Sequence, residues 1–358
     1  MPTRPAPAPF PTLPLAPFVS AWRFLGAAAA TGRTRRPATD AGAQTLLATA
    51  RPFRADSANP PGTLYVAECV GADVDAALAS SANAIEARFT LSDDGEAAAA
   101  AVRVRAGLDD EGGLAAWSYR LAGSSATTPP SALGPAGDAA ACEGALALPY
   151  RIGSRRSEYV SVHGGPSGGA AAFNTFCVES TIDELAGALG EDPLSFRLAR
   201  LADERWRTVL VSAATAAGWH RPCAPGRARG IAIGCSFHSV VAQVVELCRS
   251  DAGTPFVERV TLAVDSYLPL QAAATRPLLA GAIDRTMKRL LGSSSSAPAF
   301  EIVLVEPSPA SERTLVAEGV AGLATPTFAP AAANAWRRLG EARWQRLPHL
   351  AGASLRAS

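Results

Sequence analysis

The chain has 358 residues, 48% of them hydrophobic, with 33 Lys and Arg against 32 Asp and Glu for a formal net charge of +1. Such a length supports a sizeable core and about two domains, and the balanced charge gives no basis for binding nucleic acid. No apolar run approaches the roughly 20 residues of a membrane helix. The N-terminus is rich in proline and lacks the basic start of a secretory signal. We therefore expect a cytoplasmic protein, with a periplasmic one as the alternative.

The cysteines and histidines predict neither disulfides nor a metal site. The six cysteines are scattered without C-x-x-C spacing, and the four histidines are isolated from one another. A chain of this size does not need disulfides for stability, so free thiols are expected, and a zinc site has no support.

The first 141 residues divide into two parts. Residues 1–62 are rich in Pro, Ala and Arg and predict a poorly ordered arm. Residues 63–141 predict a small α+β unit. Within it, residues 73–89 have apolar positions at helical spacing, residues 101–123 alternate around a turn at 109–113 and predict a β-hairpin, and 124–141 read as a linker.

Three successive helices are predicted between residues 176 and 217. Thr181 with Glu184 has the spacing of a capping box at a helix start, and Gly190 ends that helix. Asp192 followed by proline opens the second helix. Asp203 opens the third, whose apolar face comprises Trp206, Val209, Leu210, Ala213, Ala214 and Ala217.

The remaining segments mix strands and helices. Residues 229–250 and 255–267 predict strands, with a turn at 251–253, residues 276–291 a helix, and 300–305 a strand. Residues 319–340 read as a loop that runs into a helix, with Pro330 in its first turn. Without strict βαβ alternation, this predicts α+β architecture with mixed sheets and packed helices. Residues 142–350 form the main domain, and 351–358 a tail.

Common catalytic motifs are absent from the sequence. Residues 163–169, HGGPSGG, resemble an oxyanion loop, but no G-x-S-x-G nucleophile motif accompanies them. Neither G-x-G-x-x-G nor a P-loop is present. Three short segments, 234–239, 265–271 and 319–326, are either ligand-contacting loops or ordinary connections.

Several segments in order resemble one enzyme family. They are EGALALPYRI, FCVESTIDELAGALGEDPLSFRLARL, AAGWHRPCAPGRARGIAIGCSFHSVVAQVVEL, VTLAVD and APAAANAWRRLG, with residues 71–89 and 102–125 upstream. They resemble the carboxyl half of the molybdopterin-binding subunit of isoquinoline 1-oxidoreductase-like enzymes, in the xanthine dehydrogenase and aldehyde oxidase superfamily. The resemblance covers about residues 65–350.

The resemblance implies a definite chemistry. Members of the family hydroxylate aromatic heterocycles or oxidise aldehydes with oxygen from water, using a molybdenum–pterin cofactor, and a small iron–sulfur subunit carries the electrons away. A glutamate acts as base beside the metal. The positions that match the family's cofactor-facing loops are Phe173, Asn174, Ser236, Phe237, His238, Ser239, Gly319, Val320, Ala321, Gly322, Leu323 and Ala324.

The sequence departs from the family at the positions that carry this chemistry. Gly322 stands at the place of the family's glutamate, so no catalytic residue and no metal ligand is assigned. Leu278, Leu279, Ala280 and Gly281 replace a Gln-x-Glu-Gly stretch, and a large middle portion is missing between Phe89 and Ala101. Asp265 and Glu246 lie near strand ends but receive no role.

These departures predict a shortened, degenerate molybdenum hydroxylase homologue with impaired catalysis. Two alternatives remain open at this point. One is an active oxidoreductase whose missing half comes from a partner chain. The other is a non-catalytic binding or assembly protein that uses the helices of residues 179–217 as an interface. Loss of half a fold also exposes apolar surface, so we expect the chain to self-associate.

Overall fold

The structure is a computed structural model. It describes residues 44, 47–49, 51–52, 63–71, 73–91, 100–124, 137–138, 140–162, 170–236, 238–251, 253–266, 270, 272–292, 297–305 and 317–348. Most of the predicted arm and linker, the tail, and residues 163–169 lie outside this part of the chain. No helix in the described ranges is long and apolar enough to cross a membrane.

The predicted α+β class is confirmed by two mixed sheets with packed helices. The strands are β1 (Arg51–Pro52), β2 (Thr63–Val70), β3 (Asn83–Leu91), β4 (Ala100–Leu108), β5 (Leu114–Ser124), β6 (Ile152–Val162), β7 (Arg227–Ser236), β8 (Ser239–Arg249), β9 (Pro255–Asp265), β10 (Ala299–Val305) and β11 (Arg346–Leu347). Within the described residues, the first sheet has the order β1-β2-β6-β5-β4-β3-β11 and the second β10-β9-β8-β7.

Helices cover the second sheet and join it to the first. They are α1 (Val74–Ala79), α2 (Ala170–Ala188), α3 (Pro193–Arg200), α4 (Glu204–Ala216), α5 (Ala272–Leu291), α6 (Ala317–Leu323) and α7 (Thr325–Arg338). Helix α7 packs on β7 and β8, α4 packs on β8 and β9, and α2 lies between α7 and the first sheet.

The predicted β-hairpin is confirmed as β4 and β5, whereas the helix predicted for residues 73–89 is wrong in its second half. Helix α1 ends at Ala79, and β3 follows it with Ala87, Phe89 and Leu91 buried on alternate positions. All nine residues of β3 pair with β4. The segment is a strand because a distant partner is available, which helical spacing over so short a run does not reveal.

The middle helices follow their local signals except at the start of α2. Asp192 caps α3 by accepting hydrogen bonds from the backbone N–H groups of Leu194 and Ser195, and Asp203 caps α4. The predicted capping box at Thr181 is wrong, because α2 begins eleven residues earlier, at Ala170. The Thr181 hydroxyl donates to the Cys177 carbonyl oxygen at 2.7 Å, within the helix.

Residues 319–324 form most of α6 and its junction with α7, so the loop predicted there is wrong. The apolar side chains of Val320 and Leu323 are buried, and α6 packs against α5 and α7. Pro326 occupies the first turn of α7, whereas Pro330 lies inside the helix. Burial of this apolar surface outweighs the low helix propensity of two glycines.

A buried arginine joins α3 to α2. The Arg197 side chain is fully buried, with its Nε 2.9 Å from Glu179 Oε2 and its Nη1 3.4 Å from Asp183 Oδ1. Its remaining donors reach the carbonyl oxygens of Pro193 and Glu179. Burial alone would lower the pKa of Arg197, but the charge of Glu179 holds it above its usual value. A buried charge is tolerated only with such complete pairing.

The two carboxylates of this network extend it to β7 and α7. Glu179 also accepts hydrogen bonds from the Tyr150 hydroxyl at 2.6 Å and from the Ile233 backbone N–H at 3.1 Å. Asp183 accepts two from the guanidinium of Arg338, at 2.8 and 3.0 Å. One connected set of charges therefore fixes α2, α3, α7 and β7 relative to one another.

A glycine on β7 allows α7 to approach the sheet closely. A Cβ atom added at Gly230 would overlap the carbonyl oxygen of Ala331 and the backbone nitrogen of Ala335. These are main-chain atoms of a packed helix and cannot move aside independently. The position therefore requires glycine for space rather than for its backbone angles.

We predict that Arg197→Met lowers the free energy of unfolding by about 3–5 kcal/mol, because two buried carboxylates lose their partner. The matched control is Arg207→Met, since Arg207 is partly exposed and pairs with Glu204 at 3.5 Å. That loss should stay below about 1 kcal/mol. Urea unfolding followed by circular dichroism measures both, and equal losses would contradict the prediction.

We also predict opposite effects of alanine at two glycines. Gly230→Ala should destabilise by about 1–3 kcal/mol or more through overlap with α7. Gly281→Ala lies in the interior of α5, where the nearest atom to a new Cβ is Arg285 Nη1 at 3.5 Å. It should stabilise by about 0.5–1 kcal/mol through helix propensity. Thermal melts of the two variants test the sign of each change.

Candidate functional site

Residues that lie next to three of the predicted site segments meet around Gly234 on β7. Thr175 follows Asn174 on α2, Thr327 follows the α6–α7 junction, and Gly234 precedes Ser236. A Cβ atom added at Gly234 would lie 3.1 Å from Thr175 Cγ2 and 3.2 Å from Thr327 Cγ2. The structure thus brings together segments that are far apart in the sequence, and packs them closely.

Asn174 on α2 is hydrogen-bonded to β5 and to the segment that precedes β6. It is fully buried, and its Oδ1 accepts a hydrogen bond from the Tyr119 hydroxyl at 2.7 Å. Its Nδ2 donates to the carbonyl oxygens of Ala141 at 2.9 Å and Glu143 at 2.8 Å. Both N–H donors are therefore used within the protein. The neighbouring Phe173 is also buried.

The turn between β7 and β8 holds a second group of predicted residues. Ser236 and Ser239 are buried and face each other across the hairpin. His238 is exposed and has a φ of 60°, uncommon for a residue with a Cβ. Arg205 on α4 donates to the His238 carbonyl oxygen at 3.1 Å, which holds the turn in place. Phe237 lies outside the described residues.

The third group lies on α6 and at its end. Val320, Leu323 and Ala324 are buried, while Ala321 and Gly322 are partly exposed. The Ala324 carbonyl oxygen accepts a hydrogen bond from Gln243 Nε2 at 3.2 Å. A helix directs its N–H groups along its axis rather than towards a shared cleft. Gly319 to Ala324 therefore do not form an open cradle of backbone groups.

The two acids considered from the sequence are held by arginines. Asp265 makes a two-point pair with Arg205, at 2.9 and 3.0 Å. Glu246 pairs with Arg229 and with Arg227. Partial burial acts to raise the pKa of Glu246, but Arg229 lowers it overall. Both carboxylates are therefore bound as structural anions.

Sequence reasoning missed a third acid, Glu143. Its side chain is half-buried, and burial raises the pKa of its carboxyl group although nearby His238 acts in the opposite direction. Cys235 lies close by, and burial raises the pKa of its thiol to about 11, which makes it a poor nucleophile. No periodicity or motif marks Glu143 in the sequence.

The described residues do not fit a molybdopterin as they are arranged. The cavity that contacts Phe173 has a volume of ≈ 20 Å³, room for about one water molecule. Cofactor pockets are typically about 300–1,000 Å³. Thr175 Oγ1, Thr327 Oγ1 and Gln243 Oε1 are buried without hydrogen-bond partners, but they are sealed inside the packing around Gly234. Across the described ranges, no three His, Cys, Asp or Glu side chains are grouped to hold a metal ion.

We predict that Glu143 makes stability fall as pH rises. A carboxyl group whose pKa is raised by folding favours the folded state below its unfolded value of 4.5, and loses that contribution as pH rises through the folded pKa. The melting temperature of Glu143→Gln should therefore increase relative to the unmodified protein between pH 4 and pH 7, measured by calorimetry at about half-unit steps.

Asp75 provides the control of opposite sign. Its hydrogen bond with Arg156 lowers the pKa of Asp75 below 3.8. Its contribution is present above that value and is lost as pH falls through the folded pKa. The stability deficit of Asp75→Asn should thus shrink on acidification. A Glu143→Gln difference that shrinks with rising pH would contradict the prediction.

Comparison with known proteins supports the fold. No protein-family model and no curated protein matches the chain. The aldehyde oxidoreductase of Desulfovibrio gigas matches with a TM-score of 0.55 and 12% identity, over 80% of this chain and 62% of that one. The aldehyde oxidoreductase of Desulfovibrio desulfuricans ATCC 27774 matches with a TM-score of 0.52 and 13% identity, over 70% of this chain and 48% of that one.

The chain therefore spans about half to three-fifths of these two solved structures. At this identity the likeness concerns the fold alone. The likeness to aldehyde oxidoreductases is thus shown for the fold, whereas no comparison distinguishes the isoquinoline 1-oxidoreductase-like group. The chain has the fold of part of an aldehyde oxidoreductase.

Proposed function

We propose that the chain is a shortened homologue of molybdenum hydroxylase large subunits that keeps the fold without the hydroxylation or aldehyde-oxidation chemistry. The proposal rests on the residue type and the helical conformation of the segment around Gly322. This residue occupies the position of the family's glutamate, and it lies within α6. The segment thus lacks both the base and the open loop that would present it.

The other acids considered as a possible base support the same proposal. Proton abstraction requires a carboxylate within hydrogen-bond reach of the oxygen that it deprotonates. Asp265 and Glu246 are bound by arginines. Burial raises the pKa of the Glu143 carboxyl group, but this residue stands beside the β7–β8 turn, where its carbonyl oxygen accepts a hydrogen bond from Asn174. No catalytic step is assigned to it.

An oxidoreductase completed by a second chain is the other candidate. Its support is that the chain spans only 48% and 62% of the two aldehyde oxidoreductases. In that case a partner would supply the missing half and the base, together with an iron–sulfur subunit. The substrate would be an aldehyde or an aromatic heterocycle.

A non-catalytic binding or assembly protein would not use all of residues 179–217 as its interface, because much of this region is buried. Helix α2 is buried along most of its length, including Glu179 and Asp183. The exposed parts of this region include the outer face of α4, where Val211 is 43% exposed, and the end of α2, where Leu189 is 37% exposed. A binding partner would therefore contact these surfaces rather than the buried length of α2.

We predict that the chain purified from cells supplied with molybdate contains far less than one molybdenum per chain and turns over neither an aldehyde nor an N-heterocycle. Metal analysis by mass spectrometry and reduction of an artificial electron acceptor measure the two properties. Stoichiometric molybdenum with turnover would overturn the proposal.

The variant Gly322→Glu separates two causes of inactivity. If only the base were lost, restoring the carboxylate would restore turnover in molybdenum-loaded protein. We expect no turnover, because the residue lies in a helix and its surroundings do not fit the cofactor.

Co-expression with candidate partner chains tests the second candidate, an oxidoreductase completed by another chain. Activity that appears only in the complex would favour it.

A further inference from the structure

The two sheets differ in how their edges are protected. A strand at a sheet edge presents unpaired N–H and C=O groups that can pair with another chain. The first sheet ends in β1 and β11, each two residues long. Such short strands offer little to pair with. The second sheet ends in β7 and β10, which are ten and seven residues long.

Side chains cover the outer edge of β7. The Arg229 carbonyl oxygen accepts from Arg338 at 3.3 Å, and the Ile231 carbonyl oxygen accepts from Asn334 at 3.1 Å. The Ile233 N–H donates to Glu179 at 3.1 Å. Three of the main-chain groups that another strand would bind are therefore already engaged.

Strand β10 lacks comparable protection. It pairs in parallel with β9 over all seven residues without a bulge, and no other described strand lies on its outer side. Its sequence, AFEIVLV, has no proline, glycine or lysine, the residues that commonly disrupt or blunt an edge. None of its residues is fully buried. An apolar strand of high β-propensity is thus left at an edge.

A groove runs along this edge. It has a volume of ≈ 630 Å³ and is lined by Arg276, Pro277 and Ala280 of α5 and by residues 300–304 of β10. Leu278, next to it in α5, is 36% exposed. Ala280 belongs to the stretch that replaces the family's Gln-x-Glu-Gly, but none of the positions that match the family's cofactor-facing loops lines the groove. Its lining is mostly apolar and follows an edge strand, which suits an extended chain.

We propose that β10 pairs with β10 of a second copy of this chain, antiparallel and centred on Ile302. This is the one antiparallel register that pairs all seven residues of each strand. It sets Phe300 opposite Leu304 and Glu301 opposite Val303, while Ile302 meets its counterpart. A register shifted to place Glu301 against itself would oppose like charges. The two sheets would join across a two-fold axis, as in isologous dimers.

The charges in the groove are complementary under this symmetry. Arg276 is exposed and makes no ion pair with any described residue, and Glu301 has one distant pair, with Arg259 at 3.8 Å. A two-fold axis perpendicular to the sheet puts both α5 helices on the same face. Each copy therefore contributes one cation and one anion to the dimer interface. The contributed surface is neutral and self-complementary.

Light scattering coupled to size exclusion tests the dimer over a concentration series of the full chain. We expect a dimer that Ile302→Lys converts to a monomer, because two lysines would meet at the axis. The matched control is Val211→Lys on α4, which places the same charge at an exposed apolar residue away from β10 and should leave the dimer intact. Circular dichroism and melting curves verify that both variants fold. An unmodified protein that is monomeric throughout, or an Ile302→Lys dimer, overturns the proposal.

Disulfide cross-linking tests the register. In a background with the exposed Cys69 and Cys223 replaced by serine, Ile302→Cys should form a covalent dimer on oxidation. Glu301→Cys should not, because its counterpart would lie two residues along the strand, beyond the reach of about 7 Å between Cα atoms. Equal cross-linking at both positions would overturn the register.

Another segment of the same chain could cover β10 instead. Hydrogen exchange distinguishes this outcome at the β10 amides that do not bond to β9: protection of those amides in a monomer would contradict pairing with a second copy. Protection that appears only in the dimer supports pairing with a second copy.

A charge swap tests the complementarity of the interface. Arg276→Glu should weaken the dimer, and the double variant Arg276→Glu with Glu301→Arg should restore it. Weakening without restoration would remove the argument from charge.

Discussion

The buried pairing of Arg197 with Glu179 and Asp183 is the constraint on which the rest of the structure depends. These charges are stable away from water only because each has several partners, contributed by α2, α3, α7 and β7. Glu179 and Asp183 belong to ESTIDEL, and Arg197 to DPLSFRLARL, the sequences that carry the resemblance to molybdenum hydroxylases. Those sequences therefore encode the joining of helices and sheet.

The ion network and the close approach of α7 to Gly230 hold the helices against the second sheet. Neighbours of the predicted cofactor-facing segments meet around Gly234, where Asn174 serves the main chain and α6 buries its apolar side chains. The fold alone does not assign a reaction, because function depends on particular side chains.

The second sheet is asymmetric for a related reason. Glu179, Asn334 and Arg338 cover the edge of β7 with side chains, two of which also serve the buried network. At the other end, β10 lies beside α5 with its apolar residues partly exposed. Two of the charged residues that stabilise the interior therefore also cover part of one edge of this sheet.

The sequence by itself determined the elements whose signals are local. Asp192 and Asp203 cap helices through hydrogen bonds to residues two or three positions away, and the hairpin turn at 109–113 closes on itself. Only the tertiary structure decided that residues 83–91 form a strand, that residues 319–324 join a buried helix, and that Glu143 stands beside His238. Those outcomes depend on pairing and burial against segments far along the chain, whose free energies no short window of sequence contains.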